Sequence, residues 1–248
     1  MRRRSGAELK VELGIRLAMA LASCCYSGDM SKPEDVTTEN AQGRFALAAA
    51  TRRMIDEVRA TNAPANVLME AQRALEVAER LLSPYRRQGD FAQARLGGGA
   101  EAFLGEADPM VFFENSPFIG RANPISLPVV FEVREGVVHG EATFTAPYCG
   151  PPNHVHGGVI AAVFDELLGT VNVVNQLGAM TGTLTIRYHQ PTPLFREIRM
   201  EGHQAGVEGR KVFAKGSMWS GETLLAEAEG IFISLQEGIR ERLFGPNL

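Results

Sequence analysis

The chain has 248 residues, of which 45% are hydrophobic and 22% are charged, and its formal net charge is −4. This composition is typical of a globular protein with a sizeable core, and it excludes a global electrostatic attraction to nucleic acid or to an anionic membrane. Three cysteines, Cys24, Cys25 and Cys149, are too few for a disulfide framework and favour a reducing, cytoplasmic location.

The first 43 residues are interpreted as an irregular leader. The segment LASC (residues 21–24) resembles a bacterial lipobox, but the preceding stretch is not the uninterrupted apolar segment that an export signal requires. Four charged residues interrupt it: Glu8, Lys10, Glu12 and Arg16. We expect residues 1–29 to be dispensable, with Met30 as the true start. Because the sequence has no run of about 18 uncharged apolar residues, no membrane-spanning helix is expected.

Residues 44–108 are predicted to form a helical extension and a linker. Helices are expected over 44–60 and 64–86, and Pro64 suits a first helical position. In the second helix the apolar residues follow helical spacing: Val67, Leu68, Ala71, Leu75, Ala78, Leu81 and Leu82. The glycine-rich segment 87–108 is typical of a linker. We expect both helices to pack on a surface and not to bind a ligand.

Residues 109–248 are predicted to form an α+β domain. Two β-rich segments, SLPVVFEVREG and VVHGEATFT, are separated by Glu-Gly, which favours a hairpin. Residues 158–175 are apolar nearly all round and predict a buried helix. Four further strands follow: AMTGTLTIRYHQ, EIRMEGHQAGVE, RKVFAKGSMWS and TLLAEAEGIFISL. This order predicts an antiparallel sheet with a helix lying on one face.

The buried helix opens with His156, Gly157 and Gly158. The first N–H groups of a helix have no partner within the helix and carry partial positive charge. Glycine lets a ligand oxygen approach such N–H groups, as an oxyanion hole requires. The alternative is a glycine turn in which His156 caps the helix or packs locally.

The same helix carries an acid on a polar stripe formed by Asp165, Gly169 and Asn172. A buried lone carboxylate costs free energy, so it needs partners or a shifted pKa, and such groups favour functional sites. Glu166 is interpreted as solvated. Arg187, Arg210 and Lys211 could contact phosphates, although a surface role is an equal alternative. The cysteine and histidine spacing predicts no metal site.

Taken together, HGGVIAAVFDELLG, MTGTLTIRYHQPTPL and VEGRKVF resemble the hotdog-fold acyl-CoA thioesterases of the phenylacetate-pathway and thioesterase-superfamily type. The resemblance covers residues 116–235 and leaves out the N-terminal helices. It implies a hotdog fold, which is an antiparallel sheet wrapped around a long central helix, here with an N-terminal helical extension. It also implies hydrolysis of a fatty or aryl acyl-CoA in lipid metabolism. Coenzyme A would be part of the substrate, and no cofactor is expected.

The resemblance also assigns catalytic roles at the motif that begins with His156, and His156 is itself counted among the expected catalytic residues. Gly157 N–H would form the oxyanion hole, Asp165 would activate water or attack the thioester, and Thr181 would assist that acid. Many relatives carry an asparagine six positions before the histidine, where this chain has Gly150.

The expected substrate-binding residues lie around the same motif and on the later strands. They are Gly158, Asn153, Arg187, Arg210 and Lys211.

A homodimer is expected from a distance argument, and a tetramer stays open as an alternative. Gly157 and Asp165 are separated by about 12 Å along one helix, which one thioester carbonyl cannot span. Two antiparallel helices about a twofold axis would bring Gly157 of one chain to Asp165 of the other. Two alternatives remain open: an enoyl-CoA hydratase-like enzyme, and a hotdog protein that binds acyl-CoA without turnover.

Overall fold

The computed structural model describes residues 38–86, 93, 109–175 and 179–236. The chain separates into two units, Met1–Ala41 and Gln42–Leu248. In the first unit, residues 38–41 begin a helix. Residues 1–37 of the predicted leader, and all of the predicted linker at 87–108 except Gln93, lie outside the described residues.

Both predicted N-terminal helices are confirmed. Helix α1 spans Thr38–Ala60, beginning six residues before the predicted start, and helix α2 spans Ala65–Leu82. Pro64 stands at the N-cap of α2, one position before the predicted place, and a 3₁₀ turn at Ser83–Tyr85 follows the helix. None of the α2 side chains is buried.

Six strands form a single antiparallel sheet with the order β1-β2-β4-β5-β6-β3. The strands are β1 (Val129–Arg134), β2 (Val137–Thr143), β3 (Ala179–Tyr188), β4 (Glu197–Glu208), β5 (Lys211–Ser220) and β6 (Thr223–Ser234). The predicted hairpin is confirmed: Glu135 and Gly136 join β1 to β2 with φ angles of 52° and 78°, as a two-residue turn requires. Strands β1 and β3 are the two edges of the sheet.

The long apolar helix, α4 (Gly157–Val174), lies against this sheet. A short helix, α3 (Pro109–Phe112), precedes the sheet in the chain. Glycines in the strands make room for α4, since a Cβ at Gly202 would lie 2.9 Å from Leu167 Cγ. The largest fully buried side chains include Phe131, Phe144, Phe164, Phe232, Leu167 and Leu168. This is the sheet-and-helix arrangement expected of the hotdog fold.

Among the described helices, only α4 is long and apolar enough to cross a membrane by length and composition. The core helix of a globular domain passes the same test, and half of the residues of α4 are buried within this domain.

The segment 113–127 covers the side of α4 away from β3 and is fastened to α1. Arg52 of α1 donates to the backbone oxygen of Asn123 at 2.6 Å and to Ser126 Oγ at 3.1 Å. Ser116 of the same segment is completely buried. The N-terminal extension is therefore joined to the domain through this segment.

Candidate active site

Within the part of the chain that the structure describes, the N-terminus of α4 leaves one backbone N–H group without a hydrogen-bond partner. His156 is the N-cap, and its Nδ1 accepts a hydrogen bond from Gly158 N at 2.9 Å. The N–H groups of Val159 and Ile160 donate to the His156 carbonyl. Gly157 N–H has no partner among the described residues. Thus His156 does cap the helix, Gly158 N–H is occupied, and Gly157 N–H remains available to a ligand.

Strand β3 holds this end of the helix. Tyr188 donates its hydroxyl proton to the Gly157 carbonyl at 3.0 Å. A Cβ added at Gly157 would lie 3.8 Å from the Tyr188 ring, which is ordinary contact. The hydrogen bond to the Gly157 carbonyl therefore holds this residue, and with it the unpartnered N–H, in position.

The loop before the helix packs closely at Gly150, the position where the family resemblance would lead us to expect an asparagine. A Cβ at Gly150 would lie 2.7 Å from His156 Cα, so an asparagine could not stand there without movement of the backbone. Asn153 is exposed, has a φ of 63°, and accepts a hydrogen bond from Leu194 N through its carbonyl. Gly150 therefore lies in close contact with His156, the N-cap of α4.

The structure brings Asp165 and Thr181 together. Thr181 Oγ1 donates to Asp165 Oδ1 at 2.9 Å, and the described residues make no hydrogen bond to the second carboxylate oxygen. A β-bulge at Gly182 interrupts the pairing of β3 with β6 between Thr181 and Thr183. Bulges of this kind re-aim neighbouring side chains. Asp165 thus has the partner that a carboxylate on this helix was expected to need, but the expectation that it is buried is wrong, because Asp165 is only half-buried.

The interpretation of Glu166 as a solvated acid is also wrong. Glu166 is 9% exposed and accepts a hydrogen bond from Ser116 Oγ at 2.9 Å. Burial raises the pKa of Glu166 to about 6, while the Ser116 hydrogen bond opposes this rise and the neighbouring Asp165 adds to it. The segment 113–127 supplies the cover, and it has no periodic sequence pattern from which that cover could have been predicted.

Of the three predicted phosphate-binding cations, Arg187 and Lys211 lie on strands and Arg210 lies in the turn between β4 and β5. None of them bonds to the Asp165–Thr181 pair within the described ranges. Arg210 donates through Nε and Nη2 to the Ser234 carbonyl, which fastens the turn between β4 and β5. Arg187 is exposed on β3, and Lys211 is exposed at the start of β5. Their role as substrate contacts stays a prediction.

Sequence comparisons place the chain near acyl-CoA thioesterases. No protein-family model matches it. Acyl-coenzyme A thioesterase THEM4 of Mus musculus is 38% identical over 88 residues, which are 35% of this chain and 38% of that protein. THEM4 of Xenopus laevis is 38% identical over 92 residues, which are 36% of this chain and 41% of that protein. The chain thus matches about two fifths of the length of these curated relatives.

A crystal structure of a thioesterase superfamily protein gives a longer match. It is 31% identical to this chain with a TM-score of 0.63, and the match covers 77% of this chain and 94% of that one. Residues 109–248 alone cannot supply 77% of the chain, so the likeness reaches into the N-terminal helices, beyond the range of the sequence resemblance. The chain belongs to the thioesterase superfamily.

Proposed function

We propose that the chain hydrolyses acyl-CoA thioesters, with Asp165 as the base or nucleophile and Gly157 N–H as the oxyanion donor. The observation that carries this proposal is the 2.9 Å hydrogen bond from Thr181 Oγ1 to Asp165 Oδ1. That bond fixes the carboxylate and leaves its second oxygen for a water molecule or for the thioester carbon. The likeness to proteins named acyl-coenzyme A thioesterase supports the choice of substrate.

In the general-base form, Asp165 takes a proton from water while the water oxygen bonds to the thioester carbonyl carbon. The carbon–sulfur bond then breaks, and the coenzyme A thiolate leaves and takes up a proton. In the nucleophilic form, a carboxylate oxygen of Asp165 attacks the same carbon, and the carbon–sulfur bond breaks as the coenzyme A thiolate leaves and takes up a proton. Water then hydrolyses the resulting anhydride to the free acid and the Asp165 carboxylate. In both forms negative charge develops on the carbonyl oxygen, where loss of one N–H donor typically costs a factor of about 10²–10³ in rate.

A homodimer completes this site in our proposal. Gly157 and Asp165 lie on one helix about 12 Å apart, so a single carbonyl cannot touch both. Thr181 lies on β3, which is an edge strand with an unpaired backbone. A second copy related by a twofold axis would place Gly157 of one protomer near Asp165 of its partner and create two equivalent sites.

The direct test of the activity measures thiol release from a panel of fatty and aryl acyl-CoAs. Release of free coenzyme A supports the proposal. Hydration of an enoyl-CoA without thiol release would indicate a hydratase-like enzyme instead. Binding of acyl-CoA without either reaction would indicate a non-catalytic binding protein.

Complementation tests the shared site. Asp165→Asn chains and Gly157→Leu chains, carrying different affinity tags, are mixed under conditions that allow subunit exchange. Each variant alone should be inactive, whereas mixed dimers purified through both tags should regain one working site. Purified mixed dimers that remain inactive would overturn the shared-site arrangement and leave the thiol-release result untouched.

A further inference from the structure

Helix α2 presents an apolar face to solvent within the described part of the chain. None of its side chains is buried, although its sequence predicts a helix that packs on a surface. In globular proteins most of the stability of a helix comes from packing of its apolar face, so a helix of 18 residues without a buried side chain calls for a partner. The large side chains of this face are 44% to 57% exposed: Val67, Leu68, Leu75, Leu81 and Leu82.

The spacing of this face is that of a coiled-coil seam. Leucine and alanine alternate at intervals of four and three residues, which are the intervals between heptad positions a and d: Leu68, Ala71, Leu75, Ala78 and Leu82. Three more apolar residues widen the seam at position g: Val67, Ala74 and Leu81. The charged residues of α2 all fall outside these positions. We call these eight apolar residues the α2 seam.

The alternation of large and small side chains fits a second copy of the same helix in the antiparallel direction. In that direction an a residue faces a d residue, so Leu75 faces Ala71 and Leu68 faces Ala78 across the pair, and a twofold axis repeats both contacts. A parallel pair would face leucine with leucine and alanine with alanine. The alanine layers would then leave gaps, which close packing disfavours.

The charges of α2 favour a protein partner over a membrane. Its polar face carries three glutamates and two arginines, whereas helices that lie on anionic membranes have a polar face rich in lysine and arginine. In the antiparallel register Val67 faces Leu81 on one flank of the seam, and Gln72 faces its own copy on the other. The pairing therefore brings no like charges together across the seam.

We propose that α2 pairs with α2 of a second copy of this chain, as a short antiparallel coiled coil along the α2 seam. The seam from Leu68 to Leu82 is about 21 Å long and one helix, about 10 Å, wide. This strip is too small by itself for the roughly 800 Å² per partner that a standard interface buries. The α2 contact thus adds to a second contact between copies, such as the β3 edge, and it does not depend on the proposed catalytic activity.

A charge at the centre of the seam tests the contact in the full-length chain. Leu75→Glu should raise the concentration at which the assembly dissociates by at least about 30-fold, measured by sedimentation over a dilution series. Met69→Glu is the matched control, because Met69 is 52% exposed on the opposite side of α2, and it should dissociate like wild type. Circular dichroism verifies the fold of both variants. A monomeric wild type, an unchanged Leu75→Glu, or an equal effect in both variants would overturn the proposal.

Cysteine pairs test the direction of the two helices. In a chain whose three native cysteines are replaced by serine, Leu68→Cys combined with Ala78→Cys should form disulfide-linked dimers. The two positions lie about 15 Å apart on one helix, so they cannot pair within a chain. Each single variant should stay unlinked, because position 68 faces position 78 and not its own copy. Cross-linking of the single variants, or none in the double variant, would overturn the antiparallel pair.

Other occupants of the seam would give different results. If another segment of the same chain covers it, Leu75→Glu should melt at a lower temperature than Met69→Glu while both keep the wild-type mass. If a membrane covers it, wild type should float with vesicles of phosphatidylcholine and phosphatidylserine, and Leu75→Glu should not, again without a change in mass. Either result would replace the second copy as the partner of α2.

Discussion

Adjacent carboxylates on α4 occupy opposite environments. Asp165 turns towards strand β3, where it is half-buried and accepts a hydrogen bond from Thr181. Glu166, about 100° further round the helix, turns towards the segment 113–127, where it is buried and accepts a hydrogen bond from Ser116. One side of the helix thus keeps its acid open to water and ligand, and the other side buries its acid beneath the segment 113–127.

We interpret the β3 side of α4 as the side that carries the reaction, and the covered side as the one that attaches the segment 113–127. On the covered side, Ser116 Oγ accepts hydrogen bonds from the N–H groups of Phe118 and Ile119 while it donates to Glu166. These bonds hold the turn at 116–119 against α4. On the open side, exposed residues of an edge strand hold Asp165 and the start of the helix. We therefore expect changes on the β3 side to alter rate, and changes on the covered side to alter stability.

The largest expected effect is the loss of hydrolysis in Asp165→Asn. The amide keeps the size and the hydrogen bond to Thr181 but cannot take a proton or attack a carbonyl carbon. General-base catalysis contributes about 10²–10⁴-fold, so kcat should fall by at least that order. Thiol release under saturating acyl-CoA measures it, with circular dichroism to verify the fold.

Glu166→Gln is the matched control, because it makes the same chemical change one residue later. Its rate at neutral pH should stay within a few-fold of wild type. If the two variants lose activity equally, the distinction between the open and the covered side of α4 is wrong.

Thr181→Val should give the next largest effect. A hydrogen bond to a charged group is worth about 1.5–3 kcal/mol, so its loss should lower kcat/KM by about 10- to 150-fold. Thr183→Val removes an exposed hydroxyl two residues along the same strand, for which the described residues provide no hydrogen-bond partner. That control should leave the rate unchanged, and Thr181→Ser should restore most of it. A similar rate for Thr181→Val and Thr183→Val would show that the Thr181 bond does not orient the acid.

Regular patterns made much of this architecture predictable. Helical spacing of apolar residues predicted α2, β-rich segments bounded by turn residues predicted the six strands, and a segment that is apolar nearly all round predicted α4. The two positive φ angles at Glu135 and Gly136 match the turn predicted from Glu-Gly. The pairing of Thr181 with Asp165 followed from the family resemblance, and no spacing rule would have supplied it.

Contacts made by irregular segments could not be predicted from the sequence. Neighbouring residues on a helix point about 100° apart, so Asp165 and Glu166 could not both be judged from one polar stripe. The cover over Glu166 comes from Ser116, fifty residues earlier, in a segment without periodicity. The bulge at Gly182, which re-aims Thr181, depends on pairing with β6 and is likewise invisible in the strand's own sequence.

The burial of Glu166 should make the free energy of unfolding depend on pH. Because burial raises the pKa of Glu166 from 4.5 to about 6, the folded chain binds this proton more tightly than the unfolded chain. The resulting stability is present below about pH 4.5 and is lost as pH rises through 6, amounting to about 2 kcal/mol. Glu166→Gln has no such proton, so its free energy of unfolding should gain about 2 kcal/mol on wild type over that range.

Urea denaturation of both proteins at several pH values measures this difference. Asp165→Asn, measured alongside, shows how much of the change comes from the neighbouring acid. A difference between wild type and Glu166→Gln that does not change from pH 4 to 7 would contradict the raised pKa of Glu166.

The smallest effect is expected at Tyr188, which holds the start of α4 from the open side. Its hydroxyl donates to the carbonyl of Gly157, and Gly157 is the residue whose N–H we assign to the oxyanion. A neutral hydrogen bond is worth about 0.5–1.5 kcal/mol, so Tyr188→Phe should lower kcat by about 2- to 10-fold. KM should change little, because the oxyanion contact strengthens only as charge develops on the carbonyl oxygen. Tyr148→Phe is the control, since Tyr148 supports His156 through its backbone carbonyl and keeps that bond in the variant. A rise in KM without a fall in kcat would place Tyr188 in substrate binding instead of in the alignment of Gly157.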